Sequence, residues 1–144
     1  MTAPLPHAVN APAACPGCAA PCRRTFVARS RPDGLRFSSS LTCSSCRYAD
    51  ETDSPELDAD SRHAFLAAQG RWTAIVREPG ARRLDVLRAL RARLDSSLGA
   101  SAEILRGKGA VVTGTLAEAE WAAAILRGAG ADVEVARLAD GDER

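Results

Sequence analysis

The sequence predicts an α+β chain in two parts: a metal-held β hairpin, joined through one helix to a β-α-α-β-α-β unit. Three observations lead there. Two Cys-x-x-Cys pairs, Cys15/Cys18 and Cys43/Cys46, stand 24 residues apart. Between them run two stretches of alternating apolar and polar residues, and from Arg71 onward strand-like and helix-like patterns succeed one another. The length of 144 residues allows one ordinary domain or two very small ones. With 46% apolar but only 4% aromatic residues, the core must be built from Leu, Val, Ile and Ala. Nineteen Lys+Arg against 18 Asp+Glu give +1, which excludes a polycation that coats nucleic acid through bulk charge. A basic site has to be local. No apolar run approaches the roughly 18 residues of a membrane span, and no charged stretch followed by an apolar one opens the chain, so a cytoplasmic location is the expectation.

Taken in order, residues 1–13 are rich in Pro and Ala, show neither helical nor strand period, and read as a disordered tail. Residues 14–52 carry the spacing of a zinc ribbon, with Cys15, Cys18, Cys43 and Cys46 as ligands of a structural zinc. Two thiol pairs in a reducing compartment favour metal over disulfides, and four thiolates close a tetrahedral site. Pro16 and Gly17 suit the sharp turn of the first knuckle. Residues 24–29 and 35–42 alternate as strands, with Arg31-Pro32-Asp33-Gly34 turning between them. Redox use of one Cys-x-x-Cys is the competing reading. Cys22 has two: a free thiol beside the site, or a ligand in place of Cys15 or Cys18. Catalysis at this metal needs an open coordination position and a nearby base, and the histidines, His7 in the tail and His63 in the following helix, are poorly placed for that.

Asp50-Glu51-Thr52-Asp53-Ser54 reads as an acidic linker, and residues 53–70 as linker and bridge helix, opened by Ser54-Pro55 and stopped by Gly70. Within residues 71–139, Trp72–Arg77 is a strand. A helix over 82–94 then aligns Val86, Leu87, Leu90 and Leu94; a short helix spans 96–105; Ala110–Thr113 is a strand. Thr115 caps a helix over 116–127, Gly128-Ala129-Gly130 ends it, and Asp132–Arg137 is the last strand. Residues 140–144 form a tail.

Gly114-Thr115-Leu116-Ala117-Glu118-Ala119-Glu120, followed by Leu126 to Val135 with its Gly-Ala turn and valine-alternating acidic strand, resembles the end of the bacterial ribosomal stalk protein's C-terminal domain. The Clp protease adaptor shares that fold. Gly80-Ala81-Arg82-Arg83, Val86-Leu87-Arg88 and Arg91 are similar to the family's basic first helix, and Ser97-Leu98-Gly99 to the loop after it. The resemblance covers just under half the chain. It implies a surface of Arg83, Arg88, Arg91 and Leu98 for a protein partner, a translational GTPase or the ribosome. The family's dimerisation helices and hinge are not matched, Ala102 stands where the family has a lysine, and no acidic pocket of the Clp adaptor is visible.

Residues 80–110 hold seven basic residues against three acidic ones, which concentrates charge on that surface, although such a face also serves solubility. Trp121 and Ile125 fall off the apolar stripe of their helix and offer a second surface. No Ser/His/Asp set, paired carboxylates or phosphate-binding loop is present, so the expectation is a non-enzymatic interaction module without a small-molecule substrate. Two alternatives stay open: a nucleic-acid binder using Arg23, Arg24, Arg29, Arg36 and Arg47, and an inhibitor or immunity-type protein blocking a single enzyme.

Overall fold

The computed structural model describes residues 5–107 and 109–139. It is a mixed α+β protein of two compact units that divide between Gln69 and Gly70. The expected tail at 140–144 and Lys108 lie outside the described residues.

In the first unit four strands, β1 (His7–Ala14), β2 (Pro21–Arg31), β3 (Gly34–Thr42) and β4 (Ala49–Ser54), form an antiparallel sheet in sequence order. Helix α1 (Ala59–Gln69) follows. Two expectations are corrected here. Residues 7–13, read as part of a disordered tail, belong with Ala14 to an edge strand in which Val9 lies opposite Phe26 and Pro12 opposite Arg23. Its alternation escapes a hydropathy scan because alanine or proline occupies positions on both faces. An edge strand also tolerates Pro12, since its missing N–H can face away from the ladder. Residues 50–54, read as a linker, pair with β3 as the opposite edge. That strand is polar on both faces and is held by partners rather than by apolar burial: Arg24 to Asp50, Arg36 to Asp53, and Ser39 to Thr52 at 2.9 Å. The expected hairpin, β2 and β3, is therefore the centre of a larger sheet.

Inward residues Val9, Phe26, Ala28, Phe37 and Leu41 are buried, together with Ala64 and Phe65 of α1. The helix begins four residues later than Ser54-Pro55 suggests, because the Asp58 side chain accepts from the Ser61 amide at 2.7 Å and fixes the first turn there. Gly70, at φ +81, ends it as expected.

The second unit runs β5 (Trp72–Glu78), α2 (Arg83–Ala92), α3 (Leu98–Leu105), β6 (Val112–Gly114), α4 (Leu116–Gly128) and β7 (Asp132–Arg137). The three strands form an antiparallel sheet with β5 central, ordered β6-β5-β7. Ala74, Val76 and Val133 meet Val86 and Leu90 of α2, Ile104 and Leu105 of α3, and Ala119, Ala122, Ala123 and Leu126 of α4 in one core. Four fully buried alanines on α4, Ala117, Ala119, Ala122 and Ala123, let its backbone approach closely, which is how a core with few aromatics fills its volume. Thr115 closes a reciprocal capping box with Glu118, and Ser97 caps α3 by accepting from the Ala100 amide. No helix among the described residues is long and apolar enough to cross a membrane.

Candidate metal centre

Each Cys-x-x-Cys pair sits at the closed end of a hairpin. Residues 15–20 connect β1 to β2, and residues 43–48 connect β3 to β4. The two connections are built alike. In the first, the Cys15 amide donates to the Ala20 carbonyl (2.9 Å) and the Ala19 amide to the Cys15 carbonyl (2.8 Å). In the second, the Cys43 amide donates to the Tyr48 carbonyl (2.8 Å) and the Arg47 amide to the Cys43 carbonyl (3.1 Å). In both, the residue after the second cysteine turns left-handed: Ala19 at φ 63 and Arg47 at φ 65. Gly17 is where space runs out, since a Cβ there would stand 3.3 Å from the Cys46 sulfur and 3.6 Å from that of Cys15.

The sheet brings the two connections together because β2 and β3 are paired from Arg24↔Leu41 to Arg31↔Gly34. The sulfurs of Cys15, Cys18, Cys43 and Cys46 consequently lie within 4.8 Å of one another. Cys15 Sγ is 3.5 Å from Cys46 Sγ, and Cys18 Sγ is 3.7 Å from Cys43 Sγ. A tetrahedron with metal–sulfur bonds of about 2.3 Å has sulfur–sulfur edges of about 3.8 Å, so these spacings fit one soft ion. Four sulfurs complete such a shell and leave no place for a substrate or water.

The electrostatics prepare this site unevenly. Amides of Cys46 and Ser45 donate to the Cys43 sulfur and bring its pKa down to about 6. At Cys46 the Tyr48 amide favours the thiolate, but the Cys15 and Cys18 thiols outweigh it and hold the group up at about 12. Metal must therefore displace protons to bind. Cys22, on β2 opposite Ala13, is half-buried beside the quartet and not within it. Burial, reinforced by the adjacent Cys43, pushes it up to about 11, so it remains a protonated thiol at neutral pH.

Non-glycine residues at positive φ carry a strain of about 1 kcal/mol or more. Ala19→Gly and Arg47→Gly are accordingly expected to stabilise the first unit by about 1 kcal/mol each, read as a higher urea midpoint with an unchanged metal content. The sequence signal for this strain is positional, the residue after each Cys-x-x-Cys, and composition does not reveal it.

The remaining candidates are dispersed. Arg24 is not a free contact for phosphate: its guanidinium grips Asp50 in a two-pronged pair at 2.6 and 2.9 Å. Arg36 is likewise engaged by Asp53 at 2.9 Å. These partners hold both carboxyls below the usual range, and Tyr48, bonded to Asp50, titrates above its ordinary value. Arg23, Arg29 and Arg47 are exposed. His7, placed by sequence in a tail, is buried at the start of β1, while His63 is exposed on α1. In the second unit Arg83, Arg88 and Arg91 are exposed, Arg88 facing Asp85 at 3.6 Å, and Leu98 is 58% exposed. Trp121 and Ile125 are half-buried on α4. No family model matches this sequence, and no curated protein is similar to it at a significant level.

Proposed function

We propose that the protein is a non-enzymatic interaction module in which a structural zinc, held by Cys15, Cys18, Cys43 and Cys46, fixes the first unit. The second unit, stalk-like by resemblance, offers α2 and α3 to a protein partner. The observation that carries this reading is the placement of exposed apolar surface. Leu84 and Leu98, the large hydrophobic side chains most exposed among the described residues at 57% and 58%, both belong to this helical pair. Arg83 and Arg91 of α2 have no ion pair among the described residues, and α2 with the residues after it lines a groove of about 450 Å3 through Leu87, Arg88, Arg91, Ala92, Asp95 and Ser96. Leucine flanked by arginine suits a partner that buries an apolar anchor and supplies carboxylates at the rim. The closed sulfur shell supports a structural rather than catalytic role for the metal.

The resemblance makes a translational GTPase the first partner to try. Immobilised protein should retain a purified translational GTPase carrying a non-hydrolysable nucleotide, and an Arg88→Ala/Arg91→Ala/Leu98→Ala variant should lose about tenfold or more in affinity. Equal retention by both forms, or none by either, would remove this surface from the account.

A further inference from the structure

The four-stranded sheet has one covered face and one open face. Antiparallel register places Arg23, Thr25, Val27, Arg29 and Arg31 of β2 on the face opposite to buried Phe26 and Ala28. Beside them on β1 lie Ala8, Asn10 and Pro12, small, uncharged and exposed. On the other side β3 contributes Arg36, Ser38, Ser40 and Thr42. Arg23, Arg29 and Arg31 are all exposed, and none has an ion pair among the described residues, in contrast to Arg24 and Arg36.

The acidic groups on this side are Asp33 in the β2–β3 turn and Glu51 and Asp53 on β4. Asp53 is ion-paired with Arg36 on the neighbouring strand, and Arg31 and Arg29 act on its charge from β2 without an ion pair. Charge is thus graded across the face, positive along β2 and negative at the β4 edge, with a neutral β1 leaving the arginines approachable.

We infer that this open face binds the phosphate backbone of a single-stranded nucleic acid along β2. Residues two apart on a strand recur at about 6.8 Å, so Arg29 and Arg31 are neighbours, and Arg23 stands on the same line about 20 Å from Arg29, beyond Val27 and Thr25. A flexible polyanion can follow such a row, and Ser38 and Ser40 add hydroxyl donors to phosphate oxygens, while the Thr25 hydroxyl is committed to Asn10 at 2.8 Å. A protein partner is less well served, because half-buried Val27 is the largest apolar group among these face residues and no buried anchor is offered. The face also carries no aromatic side chain on which bases could stack, so binding should follow charge rather than sequence. This surface is built from residues of the first unit, and the α2–α3 surface proposed above from residues of the second.

The test is fluorescence anisotropy of the full-length, zinc-loaded protein with labelled oligouridylate and oligoadenylate. Both should bind with similar affinity, with log affinity falling against log salt at a slope of about −2, as expected for three phosphate contacts to a single strand. Arg23→Gln/Arg29→Gln/Arg31→Gln should weaken binding by about tenfold or more at low salt, while the corresponding lysine substitutions retain it. Arg83→Gln/Arg91→Gln should bind as the parent does. Absence of salt-dependent binding, a strong preference for one base, equal loss in the α2 variant, or loss in the lysine variant as well would each overturn the proposal. These results bear on the open sheet face alone and leave the GTPase test independent.

Discussion

Removing the metal from the four cysteines, by a chelator or by Cys43→Ser, is expected to unfold residues 5–69 while the core of residues 72–137 persists. Structural zinc in small domains contributes an apparent ~10–16 kcal/mol, more than the whole stability of an ordinary small domain. The topology says why the loss would be felt throughout the first unit. Its two cysteine-bearing connections terminate the β1–β2 and β3–β4 pairings, at Ala14↔Pro21 and Thr42↔Ala49. Without the ion, a partly ionised Cys43 stands among thiols at these two ends. The apolar core opposing this is modest: Val9, Phe26, Ala28, Phe37, Leu41, Ala64 and Phe65.

Acid should act in the same direction. Metal competes with protons for its thiolates, most plainly at Cys46, so affinity falls as pH falls. Asp50 and Asp53 have folded pKa values depressed by Arg24 and Arg36. Their stabilisation is present above the ordinary carboxylate pKa and is lost as pH falls through the depressed folded value. Amide spectra recorded during chelation and acidification check this. Retention of the dispersed β1–β4 resonances in metal-free protein at neutral pH would contradict it.

Phe65→Ala is expected to cost the first unit about 3–5 kcal/mol even with metal bound. Phe65 is 1% exposed and meets Phe37 edge to face, ring centroids 6.4 Å apart at 65°. It is the largest side chain that α1 buries, and nothing in a sheet with only two inward phenylalanines can collapse into the space. The measurement is urea unfolding of the zinc-loaded variant, followed by a probe confined to the first unit. A change under about 1 kcal/mol would mean that α1 is not part of this core.

The contrast between the two units explains what could be read from sequence. In the second unit, apolar spacing and caps carry the signal: Val86 and Leu90 face the core, Thr115 with Glu118 starts α4, and the element order follows from them. In the first unit the four cysteines announce a candidate metal site because thiolate chemistry constrains their spacing, and their sulfurs do lie together. The outer strands are silent for a physical reason. Ala49–Ser54 contains no large apolar residue and is held by the Arg24–Asp50 and Arg36–Asp53 pairs, which depend on partners about 17 to 26 residues away. His7–Ala14 offers chiefly Val9 as an inward apolar group, too little for a period to show. The same pairing removes Arg24 and Arg36 from the arginines that composition alone would assign to nucleic acid.

The central claim is that the metal is structural zinc in a closed sulfur shell. X-ray absorption at the zinc edge of the purified, zinc-loaded protein tests it most directly. The account predicts four sulfur neighbours at about 2.3 Å and no lighter ligand. A shell that requires an oxygen or nitrogen neighbour would show an open or mixed site, contradict the structural assignment, and return catalysis to consideration.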